Sequence, residues 1–232
     1  MSGPIYAITP AAFKMPPPVT FTAANTTLAK VLVDAIPSAA ATGNDPLFVG
    51  GCSVLDILAT SSDAANKDVL LYVGQIATTQ GSGPTGAMTT TTSTIPRATG
   101  SFITDGWLVG DLAMCFAPFG TAPNAAVDGI LCVVTGVAAG TLTLNGTPIA
   151  ALTLATGTRI VRVSPYMRVT VAAGSGTNGT TSNVNLLNNG ADSSVMRYER
   201  KLGPTDMLIA AMQATTSAVP AAVSLSTQIA RY

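Results

Sequence analysis

From Val19 onward, apolar and β-branched residues alternate with small polar ones in short runs, VTFTAANTTLAKVLVDAI, FVGGCSVLDILATSS and KDVLLYVGQIA, each bounded by polar clusters. Runs of this length and composition predict strands. The cluster Ser61-Ser62-Asp63-Ala64-Ala65-Asn66 predicts a turn whose side chains bond their own backbone. Residues 77–99, ATTQGSGPTGAMTTTTSTIPRAT, lose all apolar periodicity and predict a long exposed excursion or linker. The strand pattern resumes in GSFITDGWLVGDLAMCF, GILCVVTGVAAGTLTLNG and ALTLATGTRIVRV, with turn signals at Asp105-Gly106, Asp128-Gly129 and Asn145-Gly146. After Pro165, MRVTVAA, VNLLNN, SVMRYERKL, MLIAAMQATTS and VSLSTQIARY again read as strands. MLIAAMQA has a second reading as a short helix capped by Thr205 or Asp206, because Met, Leu and Ala are good helix formers.

This order predicts an all-β fold: a jelly-roll-like β-sandwich built from residues 19–95 together with 166–232, and a small β-barrel, 100–164, inserted into it. Residues 1–18 form an extended N-terminal arm in this reading. Pro4, Pro10, Pro16, Pro17 and Pro18 withhold donors from any ladder, while Ile5, Tyr6, Ile8 and Phe13 are apolar enough to seek burial, on this chain or on another subunit. An unstructured terminus is the alternative.

Composition sharpens the picture. Only 9% of the 232 residues are charged, against about 25% in ordinary soluble domains, and 33 Thr, 36 Ala and 22 Gly replace the usual Glu, Lys and Leu. The mean hydropathy is +0.45, yet no apolar run approaches the ~20 residues of a spanning helix, so no membrane segment is expected. The opening MSGPIYAITPAAFKMPPP lacks the compact apolar stretch of a secretory signal. Cys52, Cys115 and Cys132 are odd in number and set among apolar neighbours, which fits buried free thiols.

Histidine is absent, which removes Ser-His and Cys-His nucleophile pairs and the commonest metal ligand, and no CxxC, HExxH, GxGxxG or GxxxxGK[ST] occurs. No cofactor or metal is expected. Most aspartates stand beside Gly, Asn or Ser, where turn duty is the expected role; a glycosidase would need two of them to converge in a cleft. Residues 1–150 carry four bases and eight acids, residues 151–232 seven bases and three acids. That asymmetry suits either pairing within the chain or register with a neighbouring copy, with Arg197, Arg200 and Lys201 opposing the acidic first part. Zero net charge and few aromatics argue against a nucleic-acid partner. The lone tryptophan, Trp107, is expected in the barrel interior with Phe102, Leu108 and Val109.

Two stretches resemble known proteins. FTAANTTLAKVLVDA followed by SVLDILATSSDAANKDVLLYVG is similar to an N-terminal pattern of virion proteins of tailed bacteriophages. IPRATGSFITDGWLVGDLA with DGILCVVTGVAAGTLTLNG resembles a phage structural module in which Phe102, Gly106, Trp107, Gly110 and Asp111 are packing and turn positions. The insertion APFGTAPNAAVDG departs from the tail-tube version of that module. The resemblance implies a non-enzymatic virion protein, first a capsid decoration (cement) protein on the outer surface of the capsid, contacting the major capsid protein and copies of itself as a homo-oligomer. A tail, neck or baseplate component, or a carbohydrate- or receptor-binding β module, are the alternatives. Ile5, Tyr6, Phe13, Arg197, Arg200 and Lys201 are the expected interface residues, and no catalytic residue is expected.

Overall fold

The computed structural model describes residues 12–22, 28–34, 52–76, 88–97, 100–117, 124–154, 157–187, 200–203, 206–213 and 221–231. Among them are sixteen strands and no helix, so the all-β expectation holds. One sheet contains β1 (Ala12–Lys14), β2 (Val19–Thr22), β4 (Cys52–Ser61), β13 (Val184–Asn185), β14 (Arg200–Leu202) and β16 (Ala222–Arg231). Its spine is the antiparallel pair β16–β4; β1 and β2 line the outer edge of β16, and β13 and β14 the outer edge of β4.

The second sheet has eight strands in the order β3 (Lys30–Asp34), β15 (Asp206–Met212), β5 (Lys67–Ile76), β12 (Arg159–Val171), β8 (Leu112–Phe116), β9 (Cys132–Ala138), β10 (Thr141–Leu144) and β7 (Thr94–Pro96). It curls into a half-barrel. A two-stranded ribbon, β6 (Met88–Thr89) with β11 (Thr153–Leu154), completes the described strands. The segment that had both a strand and a helix reading is the strand β15, which lies between β3 and β5 with Met207, Leu208, Ile209 and Ala210 all buried. Burial on both faces explains why its sequence shows no alternation.

β12 runs through the whole arrangement. Its first five residues pair with β8, and Val161–Val171 pair with β5, so hydrogen bonding continues across residues 164–166, where the sequence pattern changes module. A bulge falls between Pro165 and Met167, leaving Tyr166 without a partner on β5. Pro165 has no N–H to give a ladder, and it sits just past the last residue paired with β8, where the strand is flanked on one side only. β12 also feeds three cores. Ile160 joins Ile95, Phe102, Trp107, Val134 and Leu142; Val161 and Val163 join Met114, Phe116, Met207 and Ile209; Val169 and Val171 join Phe21, Ile57, Leu71 and Leu225 between the two sheets.

The connection between β4 and β5 carries the chain from one sheet to the other. As its sequence predicts, Asp63 accepts the Ala65 amide at 3.0 Å and Ser61 Oγ accepts the Asp63 amide at 3.1 Å. The corner is clamped from outside by Gly174 N–H to Asp63 O at 3.0 Å and Ser61 N–H to Ser175 O at 2.8 Å.

One expectation is corrected. Residues 88–97 are not an exposed linker: Thr90, Ile95 and Arg97 are buried, and β7 pairs with β10. Threonine accounts for the misreading, since Thr90 Oγ1 donates to Ala150 O at 2.8 Å, so a polar residue is interior without loss of a hydrogen bond. Residues 77–87 lie outside the described residues. Within the expected arm, residues 12–14 form a strand on the chain's own β16, and Pro16–Pro18 separate it from β2 on the same partner.

Candidate interaction surface

Among the described residues, five of the seven exposed large hydrophobic side chains lie between residues 103 and 133: Ile103, Leu108, Val109, Leu131 and Val133. The segment that presents the first three, residues 100–111, is fixed at many points. It begins beside the β9–β10 hairpin, where Arg97 N–H donates to Gly140 O at 3.0 Å and Phe102 N–H to Ala139 O at 2.9 Å. Phe102 is fully buried and meets Trp107 edge-on, with ring centroids 5.7 Å apart at 81°. Arg97 covers the other side of Phe102 at 4.7 Å and pairs with Asp105 at 2.5 Å, both side chains nearly inaccessible. A desolvated ion pair of this kind is retained only with well-made contacts around it.

Glycine then decides which side chains face out. Gly106 (φ 75°) and Gly110 (φ 97°) adopt the left-handed conformation that other residues resist. Between them Trp107 turns inward, while Leu108 and Val109 are each 67% exposed. The expectation of burial therefore holds for Phe102 and Trp107 and fails for Leu108 and Val109. Asp111 holds the turn by accepting the Leu108 amide at 2.9 Å, and Arg162 donates to Gly106 O at 2.8 Å. Gly110 N–H to Val134 O at 2.8 Å seats the loop against β9. Along that strand, Cys132 and Val134 are buried while Leu131 and Val133, the alternate positions, are exposed.

The charges engage one another across the chain. Arg159 pairs with Asp34, Arg168 with Asp68 and Arg162 with Asp111 at 3.8 Å, each joining a base of the second part to an acid of the first. Of the two readings of the charge asymmetry, pairing within the chain thus accounts for three of its seven second-part bases. The other described acids also have structural partners: Asp56 accepts from Asn185 Nδ2 at 2.7 Å, Asp128 accepts the Asn124 amide at 2.7 Å, and Asp206 accepts the Gly203 amide at 2.8 Å. No group of three or more Cys, Asp or Glu that could hold a metal lies among the described residues. No helix long and apolar enough to cross a membrane lies among the described residues either.

Ile5, Tyr6 and Arg197 lie outside the described residues. Phe13 stands on β1 opposite Ala230, which stands opposite Ser53, itself opposite Lys201, so Phe13 and Lys201 occupy one row across four strands. Lys201 is exposed. Arg200 falls in the next row, opposite Val54, and its guanidinium lies 4.9 Å over the Tyr166 ring of the other sheet. Sequence reading missed Ile103, Leu108, Val109, Leu131 and Val133; their one local sign is the pair of glycines that brackets Trp107-Leu108-Val109. No family model, no curated protein and no solved structure matches the chain.

Proposed function

We propose that this chain is a non-enzymatic structural protein of a tailed phage particle, which decorates the outer surface of the capsid and stabilises the shell through contacts with the major capsid protein and with copies of itself. The observation that carries this reading is the rigidly held apolar loop: a buried ion pair, an aromatic pair and two left-handed glycines fix Leu108 and Val109 in water. An isolated soluble domain gains nothing from that exposure, whereas a preformed apolar platform lowers the ordering cost of association. Low charge, with much of it paired inside the chain, leaves little repulsion between copies. In this proposal the two sheets around the Phe21–Leu225 core form a jelly-roll-like sandwich, and the Phe102–Trp107 core belongs to an inserted barrel.

The resemblance of the Phe102–Asp111 stretch to phage structural modules fits the same reading, with its packing and turn residues where the loop needs them. Electron microscopy of purified particles carrying a tagged chain tests it. Label over the heads is the expected result; label confined to tail or neck replaces the capsid assignment, and no label on any particle overturns the virion reading. Removing residues 1–11, which spares β1, asks separately whether Ile5 and Tyr6 contribute: reduced occupancy on particles is expected, and unchanged occupancy excludes the arm.

A further inference from the structure

The described residues contain four sites where Asn or Asp precedes glycine, and in three of them the acid or amide is held. Asp105 is paired with Arg97 at 2.5 Å, and Asp128 is buried and accepts the Asn124 amide. Asn178 accepts the Thr180 and Thr181 amides at 3.0 and 2.8 Å and donates to Thr181 Oγ1 at 3.2 Å. Asn145 differs. It is exposed in the bend that follows β10, its backbone N–H donates to Val133 O at 2.9 Å, and its side chain makes no hydrogen bond to the described residues. Gly146 is also exposed, at φ 69°, with no atom within 4 Å of where a Cβ would sit. Nothing crowds the approach of the Gly146 nitrogen to the Asn145 side chain, and glycine offers no Cβ to block it.

We propose that Asn145–Gly146 is a site of spontaneous covalent modification, and that Asn178–Gly179, the same dipeptide, is protected by its hydrogen bonds. The Gly146 amide nitrogen loses its proton to solvent and attacks Asn145 Cγ; the new N–C bond closes a five-membered imide as the Cγ–NH2 bond breaks and ammonia departs. Water then opens the imide at either carbonyl, leaving an aspartyl or isoaspartyl residue at position 145. No oxidant or reductant takes part. The product adds one negative charge to a chain of zero formal charge, on the residue whose amide is bonded to the exposed strand at Val133.

The test incubates the full folded chain in mildly alkaline buffer and follows both peptides by mass spectrometry. Modification at 145 is expected to run about tenfold or more faster than at 178, because releasing Asn178 from three hydrogen bonds requires a local opening of at least about 1.4 kcal/mol, a factor of ten in population. In urea the two rates should converge, and Asn145→Gln should remove the part of the acidic fraction that peptide mapping assigns to residue 145, with any change at Asn189–Gly190 followed on its own peptide. Equal rates in the folded protein, or faster change at 178 than at 145, would each overturn the proposal.

Discussion

At the scale of single residues, close approach of backbone to backbone sets the sharpest constraint. Gly129 sits at φ 72°, donates to Cys115 O and accepts the Ala29 amide at 2.9 Å; a Cβ there would run into the Ala29 backbone, which has no side-chain torsion to relieve it. Gly129→Ala should therefore lose about 2–4 kcal/mol, strain and overlap combined, while Gly110→Ala, which meets open space, should lose only the strain, about 1–2 kcal/mol. Urea midpoints at constant slope measure both. Burial also acts on ionisable groups. It pushes the Cys52 and Cys132 thiols up to about 11 and Cys115 higher still, so all three should resist iodoacetamide at neutral pH and react once urea unfolds the chain. Burial raises the Asp128 carboxyl above its ordinary 3.8, against the opposing pull of the Asn124 and Ala117 amides and the Arg159 charge. The folded state then holds a proton that the unfolded state has released, so this group's contribution to stability falls as pH rises from about 3.8 through the folded value. Asp128→Asn should be more stable than the parent at neutral pH, with the gap closing on acidification; a gap that widens instead contradicts the assignment. The turn role of Asp128 was legible from Asp128-Gly129, but its burial was not, because that depends on β8, whose Cys115 bridges to the turn from outside its own segment.

Among elements, the loop of residues 100–111 joins β7 to β8 and is the part whose behaviour the sequence signals least directly. FITDGWLVGD reads as a continuous apolar stretch with turns, and composition alone sends Phe102, Trp107, Leu108 and Val109 to the same interior. The split between them arises from two backbone conformations and from an Arg97–Asp105 pair whose members are eight positions apart in sequence and on different elements. Asp105, adjacent to Gly106, carries the sequence sign of a turn and instead neutralises a buried cation. Strand existence was legible nearly everywhere, from alternation in β4 and β5 and from β-branched runs in β9 and β12; order in the sheet was not, since β7 lies beside β10 and β15 beside β5. Removing one member of the buried pair should show how the loop is held. Asp105→Asn leaves Arg97 charged and under-partnered over Phe102, with an expected loss of about 3–5 kcal/mol, and the changed surroundings of Trp107 should shift its fluorescence. Replacing both, Arg97→Met with Asp105→Leu, should recover most of that loss if packing at the site is preserved.

For the whole molecule, the distribution of charge and of apolar surface points one way. The acidic first part and basic second part meet inside the chain, through Asp34–Arg159 and Asp68–Arg168, which link strands of the eight-stranded sheet, and through Asp111–Arg162, which ties the loop that carries Trp107 to β12 of that sheet. With part of that charge paired internally, the proposed assembly would draw less on steering between copies by opposite fields and more on apolar contact and shape. The exposed Leu108 and Val109 can be altered without touching what holds the loop, because its anchors are Phe102, Trp107, Arg97, Asp105 and Asp111. Leu108→Asp with Val109→Asp should therefore leave the urea midpoint of the isolated chain within about 0.5 kcal/mol of the parent, as surface changes usually do. If these residues form the centre of a subunit contact, burying the two carboxylates should weaken binding to particles by at least about 2 kcal/mol, roughly thirtyfold in occupancy midpoint. A variant that folds as the parent does and still binds particles with unchanged affinity would remove this face from the assembly.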